Sequence, residues 1–105
     1  MKLQYRPAAL EDIRRSADYI KNTLKNPSAA STLKAKILQG ASLLKENPYM
    51  GMALSRKFDG LDTDIRFITV SKQLIFYVPH EDHIEVIRVL DGRTDYLTHL
   101  FDSQS

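Results

Sequence analysis

Five side chains in the second half of the chain are of the types needed to break a phosphodiester bond without a metal. Such a cleavage needs one group to activate a ribose 2′-hydroxyl and another to protonate the 5′ leaving oxygen. It also needs cations to hold the phosphorane. Arg66, Arg88 and Arg93 are candidate cations. Tyr96 and His99 are candidate proton movers, His99 the more natural of the two because an imidazole titrates near neutrality. Arg56 and Lys57 could hold phosphates nearby. Most of these residues fall in the tail IEVIRVLDGRTDYLTHLF (Ile84 to Phe101), where a buried-strand pattern runs into Arg88, Asp91, Arg93, Asp95, Tyr96 and His99. The competing reading is structural. Arg88 with Asp91, or Arg93 with Asp95, would be exposed ion pairs worth about 0–1 kcal/mol. Tyr96, Leu97, Leu100 and Phe101 would be the packing side of a last helix, with His99 in solvent.

The elements that must position these groups follow from periodicity. Leu3 and Tyr5 alternate with polar neighbours, a short strand ending at Pro7. From Ala8, the spacing of Leu10, Ile13, Ala17, Ile20 and Leu24 predicts one stripe of an amphipathic helix. Glu11 and Asp12 in its first turn and Lys25 near its end suit the helix dipole. Asn26 and Pro27 break it and start a second helix, with Asn26 as N-cap and Pro27 at the first helical position. That helix runs to about Glu46 with Ala30, Leu33, Ile37, Ala41 and Leu44 inward, and Gly40 is a place for close packing on the first helix. Residues 47–62 read as a long loop, which in a compact domain is often functional.

Three strands follow, Ile65–Val70, Leu74–Val78 and Ile84–Leu90. They are joined by Ser71-Lys72 and by Pro79–Asp82, so they are antiparallel neighbours. Asp91-Gly92 is a turn, Thr94 caps a short helix to Phe101, and residues 102–105 are expected to fray. The order is β-α-α-β-β-β-α: an α+β fold with a twisted antiparallel sheet, a helical hairpin on one face and the first strand at an edge. Pairing Arg66 with Tyr77 and Tyr77 with Ile84 sorts the side chains by face. Phe67, Leu74, Phe76, Val78, Ile87 and Val89 form the floor for the helices. Arg66, Ile68, Ile75, Tyr77, Ile84, Val86 and Arg88 form a mixed face that meets a partner.

Composition narrows the function classes. The 105 residues make one domain. There is no cysteine, so neither a disulfide nor a thiolate metal site is available, as suits a reducing cytosol. The N-terminal residues have no apolar signal region, and no apolar run reaches the ~20 residues of a membrane span, so a cytoplasmic protein with no membrane partner is expected. His80 and His83 lack a third ligand, and Asp59, Asp62 and Asp64 lack the closing glutamate of a calcium loop, so no metal or cofactor is expected. The net charge of +2 hides a division. Arg14 to Lys57 holds nine basic residues against two acidic ones, and Phe58 to the end holds four against nine. The basic half suits a polyanion or an acidic protein partner.

The segment ENPYMGMAL, the hairpin IRFITVSKQLIFYV and the strand IEVIRVLDGRTDYL, in this order and spacing, resemble the RelE/ParE superfamily of toxins from type II toxin–antitoxin modules. The resemblance covers nearly the whole chain. It implies a toxin neutralised by a cognate antitoxin in a hetero-oligomer, and two branches of activity. RelE-like members cleave mRNA in the ribosomal A site, whereas ParE-like members inhibit DNA gyrase and lack the nuclease residues. The Met50-Gly51 loop, the LIFY strand and the RVLDGRTD ending look more like the ParE branch. Arg66, Arg88 and Tyr96 lie near functional positions of the nuclease branch, but its glutamate base and terminal His-Tyr pair have no counterpart here. In the ParE-like reading, target contacts are expected at Arg56, Lys57, Arg66, Tyr77, Arg88 and Arg93. Antitoxin contacts are expected at Arg14, Arg15, Lys21, Lys34 and Lys36. In the nuclease reading, Arg66, Arg88, Arg93, Tyr96 and His99 are catalytic and the target is the ribosome with its mRNA.

Overall fold

Leu3 and Tyr5 turn inward from a strand, β1 (Lys2–Tyr5), which ends where Pro7 fixes the backbone and opens α1 (Pro7–Asp18). The computed structural model describes residues 1–101, so the expected fraying of 102–105 lies outside the described residues. The inward face of α1 is Ala9, Asp12, Ile13 and Ala17. Leu10, expected on that face, is exposed, because the small Ala9 takes the position where the helix comes close to the sheet. The helix also starts one residue earlier than predicted, which puts Glu11 and Asp12 beyond its first turn. A π turn over Tyr19–Thr23 widens its end, closed by the Leu24 N–H donating to the Tyr19 carbonyl. The wider turn shifts the helical phase, and Leu24 is left in solvent.

Lys25 then takes a left-handed φ of 56°, and the Asn26 side chain accepts the Ala29 N–H at 3.0 Å to cap α2 (Pro27–Ser42). A 3-10 turn, Leu43–Lys45, finishes it. Gly40 is tight against the sheet rather than against α1: a Cβ there would stand 2.8 Å from a Val70 methyl.

The expected loop after α2 contains two short elements, β2 (Met52–Ala53) and α3 (Leu54–Lys57). Neither is long enough to show a period in the sequence. Then come β3 (Arg66–Val70), β4 (Gln73–Pro79), β5 (His83–Asp91) and α4 (Tyr96–Phe101). The sheet order is β1-β5-β4-β3-β2. β1 is at an edge as predicted, but it pairs with β5 in parallel, so the sheet is mixed. The β3–β4 register is the expected one, Arg66 opposite Tyr77 and Val70 opposite Gln73. Its two-residue turn holds Ser71 and Lys72 at φ 48° and 68°.

The β4–β5 register differs from the expected one. Tyr77 lies opposite Val86, not Ile84, because the hairpin loop is tighter: the His80 N–H donates to the His83 carbonyl at 2.8 Å. Beyond Tyr77 a bulge leaves Ile87 unpaired and sets Phe76 opposite Arg88.

Independently of register, the helical hairpin covers the opposite face from the one expected. The helices α1 and α2 cover Ile68, Ile75, Tyr77, Ile84 and Val86, the face expected to meet a partner, together with Val89, which was expected under the helices and is brought there by the bulge. Phe67, Leu74, Phe76 and Ile87, expected under the helical hairpin, pack instead with Leu54, Phe58, Leu61, Tyr96, Leu97 and Leu100 from α3, α4 and the loop between α3 and β3. Both faces are covered, so what remains open is the rim.

Candidate functional site

Gly51 is held from both sides. Its N–H donates to the Tyr77 hydroxyl at 3.0 Å, and its carbonyl accepts from the Arg66 guanidinium at 2.7 Å. Its backbone lies so close to the sheet that a Cβ would stand 2.7 Å from both the Phe67 carbonyl oxygen and the Tyr77 hydroxyl. Burial pushes the Tyr77 phenol above its ordinary pKa, so it stays a neutral acceptor. Tyr77 was expected to contact a target; it is fully buried and instead anchors this loop. Arg66 also donates to the Tyr49 carbonyl at 3.4 Å, and its guanidinium carbon lies 4.9 Å from the centroid of the Tyr49 ring.

The clamp turns Tyr49, Met50 and Met52 outward, all more than half exposed. With Arg56 and Arg66 they line an open concavity of about 570 Å³ beside β2, the last strand of the sheet. Lys57, next to Arg56, is occupied differently: its ammonium sits 5.4–5.9 Å from the ring centroids of Phe67, Tyr96 and Phe58.

The other expected site residues do not join this concavity. By register, Arg66, Tyr77 and Val86 share one face while Phe67, Phe76 and Arg88 share the other. Arg66 and Arg88 thus lie on opposite faces, against the expectation that they share one. The bulge at Ile87 is the reason, since one extra residue inverts the alternation beyond it. Arg88 donates from Nε and Nη2 to the two carboxylate oxygens of Asp12, at 2.7 and 2.9 Å, and from Nη1 to the His99 carbonyl at 3.4 Å. Asp12 also accepts the Val89 N–H at 3.0 Å. The carboxylate takes over on the β5 edge where β1 has already turned away. It was missed as a partner for Arg88. The signal was a carboxylate one residue from Ile13 on the apolar stripe, where it is out of place unless paired.

Arg93 is mostly exposed and forked onto Asp91, at 2.9 and 2.7 Å, and its own N–H bonds the same carboxylate at 2.8 Å. These bonds hold the Asp91 carboxyl down at about 2. Arg93 follows the Asp91–Gln73 end of the sheet, whereas Arg66 is at the Tyr77 end, four β4 residues away or roughly 13 Å along the strand. Tyr96 is buried, its ring 5.2 Å from Phe76 and 6.1 Å from Phe58. The His99 side chain is exposed beside Arg6, Ala8 and Arg88.

On the helical hairpin, Arg14 pairs with Glu11 and Asp18, and Arg15 lies 3.7 Å from Glu11. Lys21 and Lys34 face a shallow groove between the two helices with Ala17, Asp18, Pro27, Ala30 and Ser31. Neither they nor Lys36 has an ion-pair partner among the described residues. His80 and His83 stack at 4.5 Å and each bonds a carboxylate, Glu85 and Asp82. No three His, Asp or Glu side chains converge as metal ligands among the described residues. No described helix is long and apolar enough to cross a membrane.

A family model described as "ParE toxin of type II toxin-antitoxin system, parDE" matches residues 3–96. A comparison with curated protein sequences finds no match. Among solved structures, the chain is similar to one from the "Chromosomal ParDE TA system from P. aeruginosa", with a TM-score of 0.71 and 16% identity over 87% of this chain and 95% of that one. At that identity the likeness concerns the fold.

Proposed function

The chain belongs to the family of ParE toxins of type II toxin–antitoxin systems, with a cognate antitoxin as partner, and on that premise we propose that it arrests growth by binding DNA gyrase without catalysing a reaction. What carries this reading is the dispersal of the nuclease candidates. Arg88 is committed to Asp12, Arg93 to Asp91, Tyr96 to an aromatic cluster, and Arg66 lies on the opposite face of the sheet from Arg88. Metal-free cleavage needs a proton donor, an acceptor and cations within reach of one phosphate. Of the five candidates, Arg88 and His99 alone adjoin, and Arg88 is held by Asp12 and by the His99 carbonyl, so the full set does not assemble. The exposed, preorganised feature is instead a docking surface at Tyr49–Met52, Arg56 and Arg66.

The target contacts are then Arg56 and Arg66 at that surface, with Arg93 at the far end of the sheet reached only by an extended interface. The antitoxin takes the helical hairpin. Lys21, Lys34 and Lys36 are the cations there without intramolecular partners, and an acidic antitoxin segment would be steered to them. Arg14 and Arg15 would have to exchange Glu11 or Asp18 for antitoxin carboxylates. Both partners place the protein in the cytoplasm, in a hetero-oligomer until the antitoxin is lost.

Expression without antitoxin tests the reading. It predicts filamentation and DNA-damage signalling with intact mRNA. Rapid loss of translation with cut mRNA would overturn it in favour of a ribosome-dependent endoribonuclease, and an absence of any growth defect would contradict it as well.

A further inference from the structure

We propose that the Tyr49–Ala53 rim takes an extended peptide segment of the target protein, one that alternates acidic and apolar side chains. The inference deepens the reading above by giving the chemistry of the partner at the Arg56–Arg66 surface. Three observations carry it.

The first is an edge. The sheet order ends at β2, so no strand among the described residues pairs with its outer side. An extended segment can add there through main-chain hydrogen bonds, with its alternate side chains read by what lies beside the strand.

The second is an apolar surface confined to this segment. Tyr49, Met50 and Met52 are 66%, 51% and 53% exposed, and the clamp on Gly51 fixes the backbone that displays them. Methionine side chains adapt to varied apolar partners.

The third is charge. Arg56 and Arg66 line the same concavity and make no ion pair among the described residues. Arg66 uses Nη1 for the Gly51 and Tyr49 carbonyls, leaving the N–H groups of Nε and Nη2 for a carboxylate.

A nucleic acid is the disfavoured occupant. A phosphate chain carries a negative charge at every residue and would meet Asp64, which borders Arg66 on its other side with Ser55, Thr63 and Pro79, whereas an alternating peptide presents a carboxylate only at every second position. The apolar rim also offers one exposed aromatic ring where a strand of bases would need several. The site is distinct from the antitoxin groove: the concavity at Tyr49–Ala53, Arg56 and Arg66 shares no lining residue with the groove at Ala17, Lys21, Ala30 and Lys34.

The test is titration of the isotopically labelled, full-length protein with three probes, followed by backbone amide and arginine Nε–H resonances. The probes are a short peptide alternating glutamate and valine, its lysine–valine counterpart, and a short thymidylate oligonucleotide. The glutamate–valine peptide should shift the amides of Tyr49 to Ala53 and the Arg66 Nε–H. Arg56→Glu, at an exposed side chain with no ion-pair partner among the described residues, should weaken that binding about tenfold. Shifts at these positions from the oligonucleotide or the lysine peptide would overturn the proposal. So would shifts centred on Lys21 and Lys34, equal affinity in Arg56→Glu, or no shift at millimolar peptide. None of these outcomes depends on whether gyrase is inhibited, so the failure of this inference and of the functional reading are separable.

Discussion

Arg88 and Asp12, 76 residues apart in sequence, form a two-point ion pair that binds β5 to α1, and the same carboxylate caps the Val89 N–H. Asp12 is 4% exposed, so its removal strands a guanidinium and a buried backbone donor together. Asp12→Ala should cost about 3 kcal/mol of stability, the lower end for breaking a buried pair, because Arg88 keeps some contact with water. Urea denaturation checks this. Arg88→Met in the Asp12→Ala background should add far less than Arg88→Met does alone, and simple additivity would show that the pair is not coupled.

The Arg93–Asp91 fork predicts a pH signature. The folded Asp91 pKa of about 2 lies below its ordinary value of 3.8, so the pair stabilises the fold above that value and the gain is lost as pH falls through about 2. Arg93→Gln should bring the Asp91 carboxyl back toward 3.8 in a carbon-detected NMR titration. The stability gap between the two proteins should be present at pH 5 and should close in strong acid. A gap that persists there would mean that the arginine acts by some other contact. Arg93→Ala should reduce toxicity without abolishing it, because Arg93 is at the edge of the target interface, and should leave antitoxin binding largely intact; a growth assay and a pull-down measure the two separately.

Tyr77→Phe removes the acceptor of the buried Gly51 N–H without opening a cavity. An unsatisfied buried donor costs about 1–3 kcal/mol, so a drop in thermal stability of that order is expected. Amide exchange should quicken at Gly51 and Met52 before it does elsewhere. Gly51→Ala should be worse, because its Cβ meets the Phe67 backbone, which cannot swing aside. Normal stability in both variants would remove the clamp from the account.

Much of this fold is legible in the sequence where one physical signal dominates. The β3–β4 register follows from a two-residue connection and two apolar runs, and the α2 cap from Asn26-Pro27. The face that the helices cover is missed for another reason: both faces of β3 and β4 are apolar, so alternation sorts their side chains without saying which set the helices take, and the bulge at Ile87 then inverts the alternation for Arg88 and Val89. β2 and α3 fail on length. The site is less legible than the fold, because whether an arginine is available depends on who pairs with it, and Asp12 is remote from Arg88 along the chain. Tyr96 and Arg88 have the residue types of a nuclease site, but their packing uses them.

Ser71 and Lys72 both occupy left-handed backbone, the geometry of a hairpin turn that favours Asn-Gly. A non-glycine residue there is disfavoured by about 1–2 kcal/mol. Ser71→Asn with Lys72→Gly should therefore raise stability by about 1 kcal/mol in urea denaturation, since the Lys72 carbonyl that accepts the Gly92 N–H at 2.9 Å is retained. A loss of stability would mean that one of the two side chains makes a contact worth more than the strain.

The central claim is that this toxin acts by binding and not by cleaving RNA. Purified protein assayed for inhibition of gyrase supercoiling, beside an in vitro translation reaction with labelled mRNA, tests it most directly. The account predicts loss of supercoiling with translation and mRNA intact, relieved by adding the antitoxin. Untouched supercoiling with mRNA cut on the ribosome would contradict it.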